Sequence, residues 1–148
     1  MAGMIERNAW FSAMGVSREF PEFLRTAVPE DPAVTAVVSR EQTAPLVGDN
    51  GLFRVYPLFP SDGSVPFDMF AVEMERGAFS FSESHDPGTV EYVYVFEGLV
   101  SVKTGQEEYY LSSGDSLRHR ADRPHSFHNS GEGMATLCIV AYYPGRKG

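Results

Sequence analysis

Short apolar runs separated by turn signals fill the second half of this 148-residue chain, and they constrain its fold more than any other feature. Between Phe67 and Tyr143 no stretch has helical periodicity. Strands at this spacing predict an antiparallel sandwich or barrel, and therefore an all-β fold. The predicted strands are Phe67–Met74, Val90–Phe96, Leu99–Lys103, Glu108–Leu111, Ser116–Arg120, His125–Asn129 and Ala135–Tyr143.

Two segments precede this region. Residues 1–27 combine spaced apolar side chains with Ser17 as a helix cap and Pro21 in the first turn, which predicts a short helical N-terminal segment. Residues 28–66 are a linker punctuated by proline and glycine, where Val34–Ser39 and Leu52–Leu58 are expected to form extra strands. The barrel domain is expected to span residues 67–144.

Composition excludes several classes of protein. The 20 acidic and 12 basic side chains give a net charge of −8, which disfavours nucleic-acid binding by bulk electrostatics. The single cysteine, Cys138, excludes a disulfide framework within the chain. The longest apolar run is about half of the roughly 20 residues that span a membrane. The N-terminus has no apolar signal-peptide core, so we expect no membrane partner and a cytoplasmic location.

Two stretches carry residues suited to chemistry. His85 lies in a turn, and Glu91 follows at the start of a strand whose alternation places Glu91 and Val93 on one face. A carboxylate that faces the interior of a barrel needs a cation, a metal or strong donors. The alternative is a carboxylate at a strand edge that pairs with an arginine.

The second stretch places His125, Phe127 and Asn129 on one face of a strand and His128 on the other. An inward histidine can be an ordinary core residue. However, His85 and His125 together with Glu91 make a set of two imidazoles and one carboxylate, which binds non-haem iron or other divalent metals with open positions.

These residues resemble the two motifs of the cupin family. Gly114, His125 and Asn129 are similar to the second motif, and His85, Glu91 and Gly98 are similar to the first. The resemblance implies a small single cupin barrel. It also implies a site for a divalent metal (zinc, iron, nickel or manganese) at His85, Glu91 and His125, with three protein ligands because the second histidine of the first motif falls on Pro87.

A narrower resemblance connects the chain with the C-terminal effector domain of cupin-bearing transcriptional regulators of the XRE (Cro/repressor-like) family. It rests on His85–Glu91, Val95–Gly98, Leu111–Asp115, Ala121–His125 and Tyr142–Pro144. Residues 4–8 and 10–23 are similar to the end of the helix-turn-helix domain of such regulators. The earlier helices are absent, so we expect no direct DNA binding by this chain alone. A helical cap on the barrel is the alternative interpretation of the N-terminal segment.

The resemblance implies a homodimer that senses a small-molecule effector, with a pocket formed by His85, Glu91, His125, Asn129 and Phe127. Arg118, Arg120 and Arg123 form a cluster in which one side chain is expected to point into the barrel mouth and bind an anionic effector; a solvated strand face is the alternative. His119 is interpreted as a packing residue.

A metal-dependent dioxygenase or isomerase is the alternative function. A structural cupin without a ligand is a third possibility.

Overall fold

The computed structural model describes residues 31–60 and 63–146. Ten β-strands form the framework, and two short 3₁₀ turns, Arg40–Gln42 and Asp49–Gly51, lie near its start. The strands are β1 (Leu46–Gly48), β2 (Phe53–Pro57), β3 (Phe67–Met74), β4 (Phe79–Ser82), β5 (Val90–Glu97), β6 (Val100–Thr104), β7 (Glu107–Leu111), β8 (Ser116–Arg120), β9 (His125–Asn129) and β10 (Ala135–Tyr142).

The strands form two antiparallel sheets. The larger has the order β1-β2-β3-β10-β5-β8, and the smaller has the order β4-β9-β6-β7. Neighbours in each sheet are mostly distant along the chain, as in a barrel built from long crossovers. The prediction of an all-β barrel is confirmed.

Alternation of buried and more accessible side chains along strands such as β5 and β10 places the core between the two sheets. On β10, Leu137 and Ile139 are buried whereas Tyr142 is exposed, and on β5 Val93 and Val95 are buried between exposed aromatic residues. Phe127 on β9 contributes from the opposite sheet. Burial of such side chains stabilises the fold by roughly 1.5–3 kcal/mol each.

The strand predictions were right for most of the barrel and wrong in three places. The predicted strand Val34–Ser39 does not form, because this segment has no strand pairing in the structure and Val37 is 86% exposed. The short strand β1 was not predicted. Nor was β4, whose alternation is inverted: Phe79 and Phe81 face outward, whereas Ser80 and Ser82 face the core. The predicted N-terminal helix lies outside the described residues.

A glycine closes the turn between β5 and β6. Gly98 has a φ of +94°, and a Cβ placed there would lie 2.9 Å from both the Cα and the Cβ of Ala135. The close approach of these two backbones therefore requires a residue without a side chain. Gly98 is the glycine that matches the end of the first cupin motif.

Candidate functional site

The loop that carries His85 is fixed to the turn between β8 and β9. The backbone N–H of His85 donates to the carbonyl of Ala121 at 2.9 Å, and the N–H of Ala121 donates to the carbonyl of Thr89 at 2.8 Å. The N–H of Gly88 donates to Oδ2 of Asp122 at 2.8 Å. These bonds hold the His85 side chain over the end of the barrel.

Polar side chains converge at this end. Within the larger sheet, Asp68, Ala141, Glu91 and His119 are register partners across β3, β10, β5 and β8. Asp68, Glu91 and His119 are all buried. Because side chains in one register row share a face, Asp68, Glu91 and His119 project into the interior together.

Glu91 is surrounded by three histidines. Its carboxylate is fully buried, with Nε2 of His119 3.0 Å and Nε2 of His125 3.5 Å from Oε1. Nε2 of His85 lies 3.4 Å from Oε2. We call these four residues the Glu91 cluster.

The cluster keeps Glu91 ionised. Burial by itself opposes ionisation, but hydrogen bonds from His119 and His85 outweigh it, so the pKa of Glu91 lies well below its usual value. Burial lowers the pKa of His125, against the attraction of Glu91, which favours the neutral imidazole at that position. A carboxylate and a neutral imidazole are the forms that bind metals.

His125 is oriented as metal-binding histidines are. Its Nδ1 lies 2.8 Å from the carbonyl of Arg123, to which it donates, so the neutral ring presents a lone pair at Nε2. That atom is buried and has no hydrogen-bond partner among the described residues. Two acceptors therefore face each other, Nε2 of His125 and Oε1 of Glu91, and a cation between them would satisfy both.

The donor set fits a divalent metal. One ligand atom from each of His85, Glu91 and His125 lies within 4.8 Å of the others, and all three residues are buried. Two imidazoles and one carboxylate suit iron, nickel, manganese or zinc and leave open positions for another ligand. A bound metal would supply Lewis acidity to a molecule at the open positions.

The structure places two of the predicted effector residues away from this end. Arg118 and Arg120 are exposed on the outer face of β8, because His119 between them takes the inward position. Arg120 instead binds the carboxylate of Asp122. The expectation that one of these arginines points into the barrel mouth is wrong for both, and Arg123 is exposed as well.

Asn129 and Phe127 have different roles at the same strand. Nδ2 of Asn129 donates to the carbonyls of Met74, Glu75 and Gly133, so its amide ties loops together and does not face the Glu91 cluster. The ring of Phe127 packs edge-on against the rings of His119 and His125, with centroids 6.1 Å apart in both pairs. Phe127 thus forms the apolar floor of the cluster.

His119 is the site residue that the sequence interpretation missed. It does pack against aromatic rings, as predicted, but it also binds the buried carboxylate of Glu91. The alternation along β8 indicates this inward position, because Arg118 and Arg120 flank His119 and both face outward.

Strands β5, β8 and β10 also line a groove of about 420 Å³ on their outer face. No residue of the Glu91 cluster lines this groove. It is lined by Tyr92, Val93, Tyr94, Ser116, Leu117, Arg118, Cys138 and Val140. Exposed aromatic residues also lie on the strands that line it, including Phe96 on β5 and Tyr142 on β10. This surface is separate from the polar end of the barrel.

The described part of the chain contains no helix with the length and hydropathy needed to cross a membrane.

Comparison with known proteins agrees with this architecture. The family model described as "Cupin domain" matches residues 70–142. The HTH-type transcriptional regulator SutR of Escherichia coli (strain K12) is 30% identical over 152 residues, which cover 97% of this chain and 79% of SutR. The likeness to SutR thus extends well beyond the barrel.

Solved structures of transcriptional regulators are also similar to this chain. The cupin domain of an XRE family transcriptional regulator from Enterobacter cloacae is 32% identical, with a TM-score of 0.60 over 63% of this chain and 98% of that one. An HTH_3 family transcriptional regulator from Vibrio cholerae is 25% identical, also with a TM-score of 0.60, over 65% of this chain. The match spans only 53% of the Vibrio cholerae chain, about half its length.

A cupin enzyme has a similar fold. Iron(II)-containing HppE aligns with a TM-score of 0.65 over 78% of this chain and 65% of its own, at 20% identity, which establishes likeness of fold alone. The identity with SutR and the match to the cupin model together assign the family. This chain belongs to the cupin family and is related to the cupin-bearing transcriptional regulators of the XRE group.

Proposed function

We propose that this chain is the sensing part of a cytoplasmic transcriptional regulator, and that it binds a small-molecule effector at the Glu91 cluster. The observation that carries the proposal is the buried Nε2 of His125, which faces Oε1 of Glu91 at 3.5 Å and has no hydrogen-bond partner in the described part of the chain. A buried, unsatisfied acceptor beside a carboxylate costs stability unless something binds there.

The effector class follows from charge. A divalent cation held by two neutral imidazoles and one carboxylate keeps a net charge of about +1 at the site. A small molecule with an anionic oxygen suits that charge and the open positions. The bound cation, and not an arginine, would then attract the anionic effector, because Arg118 and Arg120 lie on the outer face.

The proposed regulator acts as a homodimer. The outer face of β3, β10, β5 and β8 exposes Met69, Tyr92 and Tyr142, each at least 36% accessible, and exposed apolar patches of this kind mark interaction surfaces. A second copy of the chain is the proposed occupant, because closed two-fold assemblies are the commonest among soluble proteins. Effector binding would then shift the balance between two arrangements of the dimer.

Native mass spectrometry of protein purified without chelator tests both parts. The proposal expects a dimer that carries extra mass, which is lost in the His125→Ala variant. His128→Ala is the matched control, because His128 lies on the same strand but faces away from the core. A monomer without added mass, or added mass that survives in His125→Ala, would refute the proposal.

A metal-dependent enzyme, a small-molecule dioxygenase or isomerase, is the second candidate. It is supported by the three-ligand donor set with open positions and by its fit to a catalytic metal. Small molecules released from the purified protein distinguish the two functions: a receptor returns its ligand unchanged after incubation with metal, whereas an enzyme converts it.

A further inference from the structure

His119 is the one member of the Glu91 cluster that lies outside the group of metal-ligand atoms. That group comprises His85, Glu91 and His125. His119 nevertheless makes the shortest contact to the carboxylate, with Nε2 3.0 Å from Oε1 of Glu91. Its role is therefore different from that of the two other histidines.

The fold holds His119 in place from three sides. It is the register partner of Glu91 across β5 and β8, so the two side chains share the inward face. Its ring packs edge-on against His125, with centroids 4.9 Å apart, and against Phe127. When Nε2 carries the only ring proton, Nδ1 cannot donate, so its 3.3 Å approach to the carbonyl of Arg120 adds no hydrogen bond. A ring packed this way has little freedom to turn.

We propose that His119 is a positioning residue for a divalent metal: it donates its Nε2–H to Oε1 of Glu91 and so fixes the carboxylate that binds the metal with His85 and His125. An ionised carboxylate only accepts hydrogen bonds, so this contact requires the proton on Nε2 of His119. That proton makes Nε2 a donor and removes its lone pair from metal binding.

The cluster contains three imidazoles although Pro87 stands where the cupin motif has its second histidine. Proline supplies no ligand. His119 brings a third imidazole to the cluster from another strand, but as a hydrogen-bond donor to a ligand. Donors of this kind orient ligating carboxylates, and their loss weakens metal affinity by about 10- to 100-fold.

The inference rests on the metal site within the proposed function, and Co²⁺ is the probe. Isothermal titration and visible absorption are measured on the full chain for the wild type and for four variants, His119→Phe, His119→Gln, His125→Ala and His128→Ala. Phenylalanine keeps a packed aromatic ring but cannot donate, whereas glutamine can donate through its amide.

The expected results separate positioning from ligation. His119→Phe should bind Co²⁺ about 10- to 100-fold more weakly with unchanged visible bands, because the protein ligands are the same. His119→Gln should recover most of the affinity, His125→Ala should lose binding, and His128→Ala should match the wild type. Loss of packing alone would not be rescued by glutamine.

Two results would overturn the inference while the metal site stands: wild-type affinity in His119→Phe, or altered bands that show His119 to be a ligand. A wild-type protein that takes up no Co²⁺ would remove the metal site itself, and the positioning role with it. Effector binding without a metal would still be open to the mass-spectrometric test.

Discussion

The guanidinium of Arg120 holds the carboxylate of Asp122 through two hydrogen bonds, of 3.1 Å from Nε to Oδ1 and 2.7 Å from an Nη atom to Oδ2. Oδ2 also accepts the N–H of Gly88. An ion pair between an exposed arginine and a largely buried aspartate is thereby coupled to the loop that presents His85. The Arg120 pair and the Gly88 N–H lower the pKa of Asp122 to about 2.

Asp122→Asn should therefore destabilise the protein in a pH-dependent way. A carboxyl with a lowered pKa stabilises the fold above its ordinary pKa and loses that contribution as the pH falls from about 4 towards 2. We expect a loss of about 1–2 kcal/mol at pH 7, reduced from the full linkage value because Arg120 is largely exposed. Urea unfolding at pH 7 and pH 2.5 measures it; an equal loss at both pH values would contradict the assignment.

Gly98→Ala and Gly114→Ala form a matched pair. Both glycines have φ near +90°, at +94° and +91°, but a Cβ at Gly98 meets the backbone of Ala135, whereas at Gly114 nothing lies within 4 Å. Backbone strain should cost each variant about 1–2 kcal/mol. The clash should cost Gly98→Ala about 1–3 kcal/mol more. Thermal unfolding compares the two, and equal losses would show that the turn at Gly98 opens without cost.

Asn129→Ala should destabilise the barrel and leave the metal site intact. The variant leaves three carbonyls and the N–H of Gly131 without the amide partner, and we expect a loss of about 2–4 kcal/mol. Co²⁺ affinity should stay within about twofold of the wild type, because the amide faces away from the Glu91 cluster. Ser130→Ala, at an exposed neighbour, is the control for unfolding. A large loss of Co²⁺ affinity in Asn129→Ala would contradict this prediction and show that Asn129 contributes to the metal site.

The sequence was sufficient to predict the strands of the barrel because period-two alternation and turn residues are local signals. It also identified His85, Glu91 and His125, and their convergence is confirmed. On β8, alternation places Leu117 and His119 on one face and three polar residues on the other, which favours the Leu117 face as the inward one. The arginine cluster allows either a solvated strand face or one side chain in the barrel mouth, and the packing role expected of His119 does not include its contact with Glu91.

The inverted strand β4 was missed for a related reason. Its serines face the core and its phenylalanines face outward, so hydrophobicity gives the wrong orientation. Asn129 could be placed on the buried face by alternation, but two of the carbonyls that its amide binds, those of Met74 and Glu75, lie more than 50 residues earlier in the chain. Contacts of that range depend on tertiary structure.

A crystal structure of protein purified from cells without chelator would show most directly whether the Glu91 cluster is a binding site. We predict electron density for a metal bonded to His85, Glu91 and His125, with a small molecule at an open position and His119 still donating to Glu91. A cluster whose histidines contact only the carboxylate, with no density for any ligand, would contradict this prediction.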